Sequence, residues 1–289
     1  MSAHIPTLFL VIVAAGATLA TAMAVVAWGR DRNLLLWATA LALHTFAYTM
    51  FSLRGQINDA ASIIFGNIFL SSALAVFAEG LYRFQRRPCP RWLVWTPVVV
   101  VGAGFYVLLN DQSARIVFGG SVFSTQALVV LAALATRYRE TIGRGQFILA
   151  AGGILVLVAF AARVLATISG HTEILTVTTA NPVQTATFLL SIVCLMLLAI
   201  GLLIMTKERA EKDARRAEQY ERVRSHAMEL LTKDAPLPLI LDALVRGLED
   251  IRPQTLCSIL LLDSNGQYLT KGAAPSRRTF TTPPLRASP

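Results

Sequence analysis

Long apolar runs separated by short polar segments fill the first two thirds of the chain. Each run is about 18–24 residues long, which lets a helix rising 1.5 Å per residue cross a hydrocarbon core of about 30 Å. The pattern therefore predicts a mainly α-helical, polytopic membrane protein with seven transmembrane helices. These lie at about residues 7–28, 34–53, 61–82, 92–109, 115–136, 146–168 and 183–206.

A charged segment of alternating sign follows the seventh apolar run. No Pro or Gly occurs between Gly201 and Pro236, so the pattern predicts one helix that leaves the membrane and runs on to about Leu231. We expect a seven-helix sensor region at 1–206 and a cytoplasmic linker helix at 207–231. The linker has heptad-like apolar positions over a short stretch, which leaves open a parallel homodimer stalk or a single solvated helix.

The composition changes again beyond the linker. Apolar residues at helical spacing follow Pro236 and Pro238, and the run TLCSILLLD then predicts a buried strand. A tight turn at Asn265-Gly266 joins that strand to a hairpin partner, YLTKGAAPS. We therefore expect the beginning of an α/β domain at 232–276. The polar, Pro-rich tail at 277–289 predicts disorder.

Composition and charge support a membrane location. The chain is 55% hydrophobic and only 15% charged, so the lipid bilayer is the expected partner. No basic stripe interleaved with aromatic residues appears on a soluble segment, which argues against nucleic-acid binding. Arginines concentrate in alternate loops, and the positive-inside rule then places the N-terminus outside and the C-terminus in the cytoplasm of a multi-pass bacterial inner-membrane protein.

Four polar residues within the apolar runs are candidates for sensing a ligand or signal. His44 and Gln126 fall near mid-depth, while Asn67 and Arg163 fall in the outer half. Polar groups are costly in hydrocarbon and tend to face the bundle interior or a cavity. The alternative is structural: the first three residues could hydrogen-bond neighbouring helices, and Arg163 could reach the headgroups. The outer loops are short except for 169–182, so a small-molecule signal, which the sequence does not identify, must bind among the helices, in the lipid or on that loop.

Several cofactor classes have no counterpart in the sequence. The last apolar run has no Lys for a retinal Schiff base, and His44 is the only His within the apolar runs, where a membrane haem usually needs a pair. Cys89, Cys194 and Cys257 are isolated and have no metal-binding or disulfide spacing. We expect no cofactor and no metal. A small-molecule carrier remains a less favoured alternative, because no repeated halves with broken helices are visible.

The stretch APLPLILDALVRGLE and the hairpin CSILLLDSNGQYLTKGAAPS carry a family resemblance. Together with the preceding AMELLTKD they resemble the first third of a GAF domain of the type found in bacterial sensor proteins. In that family further helices and strands complete a six-stranded sheet and its ligand pocket. The resemblance ends after Ser276, so it transfers no ligand residues.

The membrane region is similar, more loosely, to the seven-span N-terminal regions of bacterial GGDEF proteins. The similarity rests on residues 37–84 and on the exit segment ERAEKDARR. It implies a signal-input role, with an intact homologous signalling protein or a second copy as partner. The chain contains no GG(D/E)EF loop, EAL-type metal cluster or kinase ATP motif, so we expect no enzyme activity and a truncated product. The alternative is a fragment of a GAF-containing diguanylate cyclase or sensor histidine kinase.

Overall fold

The computed structural model is mainly helical and divides into two compact units, Met1–Glu208 and Arg209–Pro289. It describes residues 5–29, 32–136, 143–170, 182–252, 255–263, 268–273 and 285–286. Each unit is considered by itself below.

The first unit is built from seven described helices. Short turns join most of them, so neighbours along the chain run antiparallel and pack against each other, α2 against α1 and α3, and α5 against α6. The helices are α1 (Ile5–Ala27), α2 (Arg32–Ser52), α3 (Asp59–Phe84), α4 (Arg91–Val107), α5 (Gln112–Thr136), α6 (Gly145–Ile168) and α7 (Pro182–Thr232), the last continuing beyond this unit.

Six described helices are long and apolar enough to cross a membrane, namely all of the seven except α4. α4 is an apolar helix of 17 residues, which corresponds to about 25 Å. Large apolar side chains such as Leu10, Val99 and Leu165 are at least 65% exposed on the outside of the unit. An exposed apolar surface of this kind fits a hydrocarbon environment rather than water.

Aromatic and small residues hold the helices together. Trp37 of α2 is fully buried, and its ring lies 5.5 Å from the ring of Phe84. A Cβ added to Gly80 would lie only 2.4 Å from the indole nitrogen of Trp37, so the small residue makes room for the large one. Phe9 of α1 meets Phe188 of α7 edge to face, with ring centroids 4.6 Å apart.

α6 and α7 approach each other closely at two glycines. A Cβ on Gly145 would lie 2.6 Å from the carbonyl oxygen of Gly201, and a Cβ on Gly201 would lie 2.9 Å from the amide nitrogen of Leu149. Both neighbours are backbone atoms that no side-chain rotation can move. The Glu208 carboxylate accepts hydrogen bonds from the Arg144 and Gly145 amides, at 2.9 and 3.3 Å, and so satisfies donors at the start of α6.

The second unit contains the end of α7, a helix α8 (Leu237–Ile251) and a small antiparallel sheet of order β1-β2-β3. β1 is Ile259–Leu262, β2 is Tyr268–Ala273 and β3 is Leu285–Arg286. α8 buries Ile240 and Val245, and the buried Glu249 carboxylate accepts a hydrogen bond of 3.0 Å from the Cys257 amide just before β1. A single side chain thereby ties the helix to the start of the sheet.

Both strands of the predicted hairpin are present, as β1 and β2. Their antiparallel register begins with Ile259 opposite Ala273 and ends with Leu262 opposite Leu269. The predicted turn at Asn265-Gly266 lies outside the described residues. Within the tail at 277–289, Leu285–Arg286 pairs with β2, and the rest of the tail lies outside the described residues. Its predicted disorder therefore stays a prediction.

Candidate ligand cavity within the helical bundle

A cavity of about 470 Å³ lies inside the first unit, and all seven helices contribute to its wall. This volume falls in the range of small-molecule binding sites, which measure about 300–1,000 Å³. The wall is mostly apolar. Its polar members within the bundle are His44, Tyr48, Asn67, Arg163, Thr187 and Ser191.

Helical spacing explains why these residues share one wall. On α6, the lining residues Val156, Ala159, Phe160 and Arg163 follow each other at intervals of three, one and three, which keeps them on one face. On α2, His44 and Tyr48 are four residues apart, and their rings lie 4.6 Å apart. Each helix thus presents one stripe to the cavity.

A chain of hydrogen bonds joins α2 to α7 across the wall. The Tyr48 hydroxyl and the Ser191 hydroxyl lie 3.2 Å apart, and Ser191 donates to the carbonyl oxygen of Thr187 at 3.0 Å. His44 is different, because its Nδ1 is buried and has no hydrogen-bond partner among the described residues. A buried polar atom without a partner is costly, which makes this nitrogen available to a bound molecule.

Arg163 lies in the cavity wall close enough to Tyr48 for an electrostatic interaction. Within the described part of the chain, no carboxylate forms an ion pair with it. Asn67 also lines the cavity, and its amide donates to the Ile63 carbonyl at 2.7 Å within its own helix. The oxygen of that amide is not used by this bond.

One end of the cavity carries more charge. Arg54, Asp59, Gln112 and Arg115 all belong to its lining, and they come from the start of α3, the start of α5 and the turn between α2 and α3. The Nε of Arg54 is buried and has no hydrogen-bond partner in the part of the chain that the structure describes. Burial lowers the pKa of the Arg54 guanidinium, the nearby Arg115 lowers it further, and Asp59 opposes both effects. We call these four residues the charged mouth.

The structure brings three of the four predicted site residues, His44, Asn67 and Arg163, into one cavity. Gln126 lies elsewhere. Its side chain is buried between α5 and α3, where it accepts from the Ser71 hydroxyl and donates to the Ser71 carbonyl, both at 3.1 Å. This reciprocal pair corresponds to the structural alternative for Gln126 rather than to ligand contact.

Sequence reasoning missed Tyr48, Thr187 and Ser191. A signal was present, because Tyr48 follows His44 by four residues and Ser191 follows Thr187 by four, so each pair marks one helical face. Among the described residues, no group of three or more His, Cys, Asp or Glu side chains could hold a metal ion. No protein-family model matches the chain, and no curated protein or solved structure is significantly similar to it.

Proposed function

We propose that this protein is a membrane-embedded sensor whose helical bundle binds a small molecule in the central cavity and passes the bound state along α7. The observation that carries the proposal is the cavity itself, of about 470 Å³, with α7 forming part of its wall. In this proposal the protein binds its ligand without changing it chemically, so the proposal includes no catalytic step.

The position of α7 supports the transmitting role. Thr187, Ser191 and Cys194 of this helix face the cavity, and the same helix continues without interruption to Thr232. A ligand that presses on or hydrogen-bonds these residues acts directly on a helix 51 residues long. A shift or rotation of α7 is therefore the simplest route by which occupancy reaches the second unit.

Two separate contacts with α6 hold α7 in position. Gly201 packs against α6 near the inner end predicted from the arginines, and Glu208 holds the first amides of α6. Close backbone packing resists gradual deformation, so movement of α7 would occur between discrete positions. This is the property that a signalling helix requires.

The finer assignments are part of the same proposal. We propose seven spans, with α4 crossing as the shortest, an outside N-terminus and a cytoplasmic second unit in a bacterial inner membrane. The alternation of arginines between loops supports this orientation. The order of α8, β1 and β2 agrees with the resemblance to the start of a GAF domain, and the partner we propose is a second copy or an intact homologous signalling protein.

The test is a chimera in which an intact diguanylate cyclase follows Leu231. Ala159→Phe places a ring in the cavity, whereas Ala162→Phe adds the same ring to an exposed position on the same helix. We expect the first variant to fix cyclase output at one level and the second to leave it as in the parent chimera. Equal behaviour of the two variants would contradict a sensing role for the cavity.

A further inference from the structure

The two ends of the cavity differ in chemistry. The deeper part of the wall is apolar and includes Leu74, Phe77, Val130 and Leu198. The other end contains the charged mouth and Arg163. A ligand that fits both parts needs an apolar body with one polar head.

The polar head of the ligand must balance a positive charge on the cavity lining. The described lining holds three arginines, Arg54, Arg115 and Arg163, and one carboxylate, Asp59. Asp111 lies outside the lining but interacts electrostatically with Arg115, so a net charge of +1 remains. Oδ1 of Asp59 already accepts a hydrogen bond from the Gly55 amide at 3.0 Å. Charges within a membrane protein are expensive unless a counter-charge or water accompanies them. An anion in the cavity supplies that counter-charge.

The donors available to an anion are of the right kind. A guanidinium offers planar, paired N–H groups that match a carboxylate in a bidentate arrangement. The Arg54 Nε and the His44 Nδ1 are both buried without partners among the described residues. An organic cation would be repelled by this end, and a neutral ligand would leave the excess charge uncompensated.

We propose that the cavity binds an amphiphilic monocarboxylate, with its carboxylate at the Arg163 end and its apolar chain along the deeper wall. At about 30 Å³ per water-sized group, 470 Å³ holds on the order of fifteen groups. A saturated acid such as dodecanoate, with about fourteen non-hydrogen atoms, fits that estimate. This assignment rests on the proposed function, because it names the ligand class of the same cavity.

The test measures binding of radiolabelled dodecanoate to the full chain in lipid nanodiscs, with empty nanodiscs subtracted. We expect saturable binding that Arg163→Gln weakens on the order of tenfold or more, because it removes a charge-assisted hydrogen bond. Arg163→Lys, which keeps the charge, should lose less. Arg83→Gln is the matched control, since it removes a charge from an exposed position outside the cavity lining and should bind as the parent does.

Competition identifies the head group and the place of binding. Dodecanol, with the same chain and no charge, should compete poorly. Ala159→Phe should abolish dodecanoate binding, and Ala162→Phe should retain it. Every variant is first checked for a single symmetric elution peak and a parent-like melting temperature. Arg163→Gln removes an uncompensated charge, so we expect it to fold.

Three results would overturn the ligand assignment: equal binding of dodecanoate by Arg163→Gln and the parent, equal competition by dodecanol, or binding of dodecyl phosphate without binding of dodecanoate. The proposed function fails separately. If dodecanoate does not bind but Ala159→Phe still alters cyclase output in the chimera, the ligand class is wrong and the sensing cavity stands. If both experiments fail, neither proposal holds.

Discussion

The helical bundle and the second unit both expose apolar side chains, but on different kinds of structural element. In the bundle, exposed residues such as Leu10 and Leu165 lie on outward faces of long apolar helices, where hydrocarbon is the natural solvent. In the second unit, Leu237, Leu239 and Leu262 are more than half exposed, although α8 is not among the described helices that are long and apolar enough to cross a membrane. The same exposure is therefore favourable in the bundle, and in the second unit it would be unfavourable in water.

The buried residues indicate where each unit obtains its stability. The described residues of the bundle form three clusters of buried apolar side chains, so its internal packing is extensive around the cavity. The described residues of the second unit bury few large side chains, among them Ile240 and Val245. A segment of this size is marginal as an independent core. We expect the stability of the bundle to be spread over many contacts and that of the second unit to depend strongly on individual contacts.

The prediction with the largest expected effect tests on which side of the membrane the loops of the bundle and the second unit lie. A reporter that works only in the cytoplasm should be active when fused after Arg87 or Arg216, and silent when fused after Asp111. The physical reason is the concentration of arginines in the loops on one side. Enzyme activity of the reporter in intact cells gives the readout, and activity after Asp111 together with silence after Arg216 would contradict the proposed topology.

The next effect concerns the packing of the bundle. Gly201→Val introduces a side chain against the backbone of α6, because even a Cβ would lie 2.9 Å from the Leu149 amide nitrogen. We expect the free energy of unfolding to fall by about 3 kcal/mol or more, at the upper end of overpacking costs. Ala151→Val, at an exposed position of α6, is the control and should change little. Thermal or denaturant unfolding in nanodiscs measures the difference, and equal stability of the two variants would show that the close α6 contact is not formed.

A smaller effect tests the second unit. Glu249→Ala leaves the Cys257 amide without its partner, and we expect a local loss of stability of about 1–2 kcal/mol. Glu249→Gln keeps an acceptor oxygen and should lose less. Hydrogen exchange of the β1 amides in the full chain reports the change, because exchange measures local opening. Unchanged exchange in Glu249→Ala would mean that this hydrogen bond does not hold the start of the sheet.

The order and extent of the helices could be predicted from the sequence, because they depend on the hydropathy of consecutive residues and on the positions of helix breakers. The run at 61–82 became α3 (Asp59–Phe84), whose start is set by Asn58, with its side chain accepting from the Ala60 amide. The helical character of the bundle is confirmed. The count of seven crossings stays a prediction, since α4 falls short of the length that the other six reach.

The grouping of the site residues could be predicted only in part. Hydropathy gives the depth of a residue in a helix but not the direction in which it points. Gln126 and His44 therefore looked alike in the sequence, although one is paired with Ser71 and the other lines the cavity. The direction depends on which helices are neighbours, which is a property of the three-dimensional packing. The pairing of Tyr48 with Ser191, 143 residues apart, belongs to the same class of information.

The most direct test of the central claim is the phase dependence of α7 in the cyclase chimera. One residue inserted after Ala214 rotates everything below it by about 100°, whereas seven residues restore nearly the same face. If α7 carries the state of the cavity as a continuous helix, cyclase activity should change strongly with one inserted residue and little with seven. Equal activity for both insertions would show that the segment acts as a flexible tether and would contradict transmission along α7.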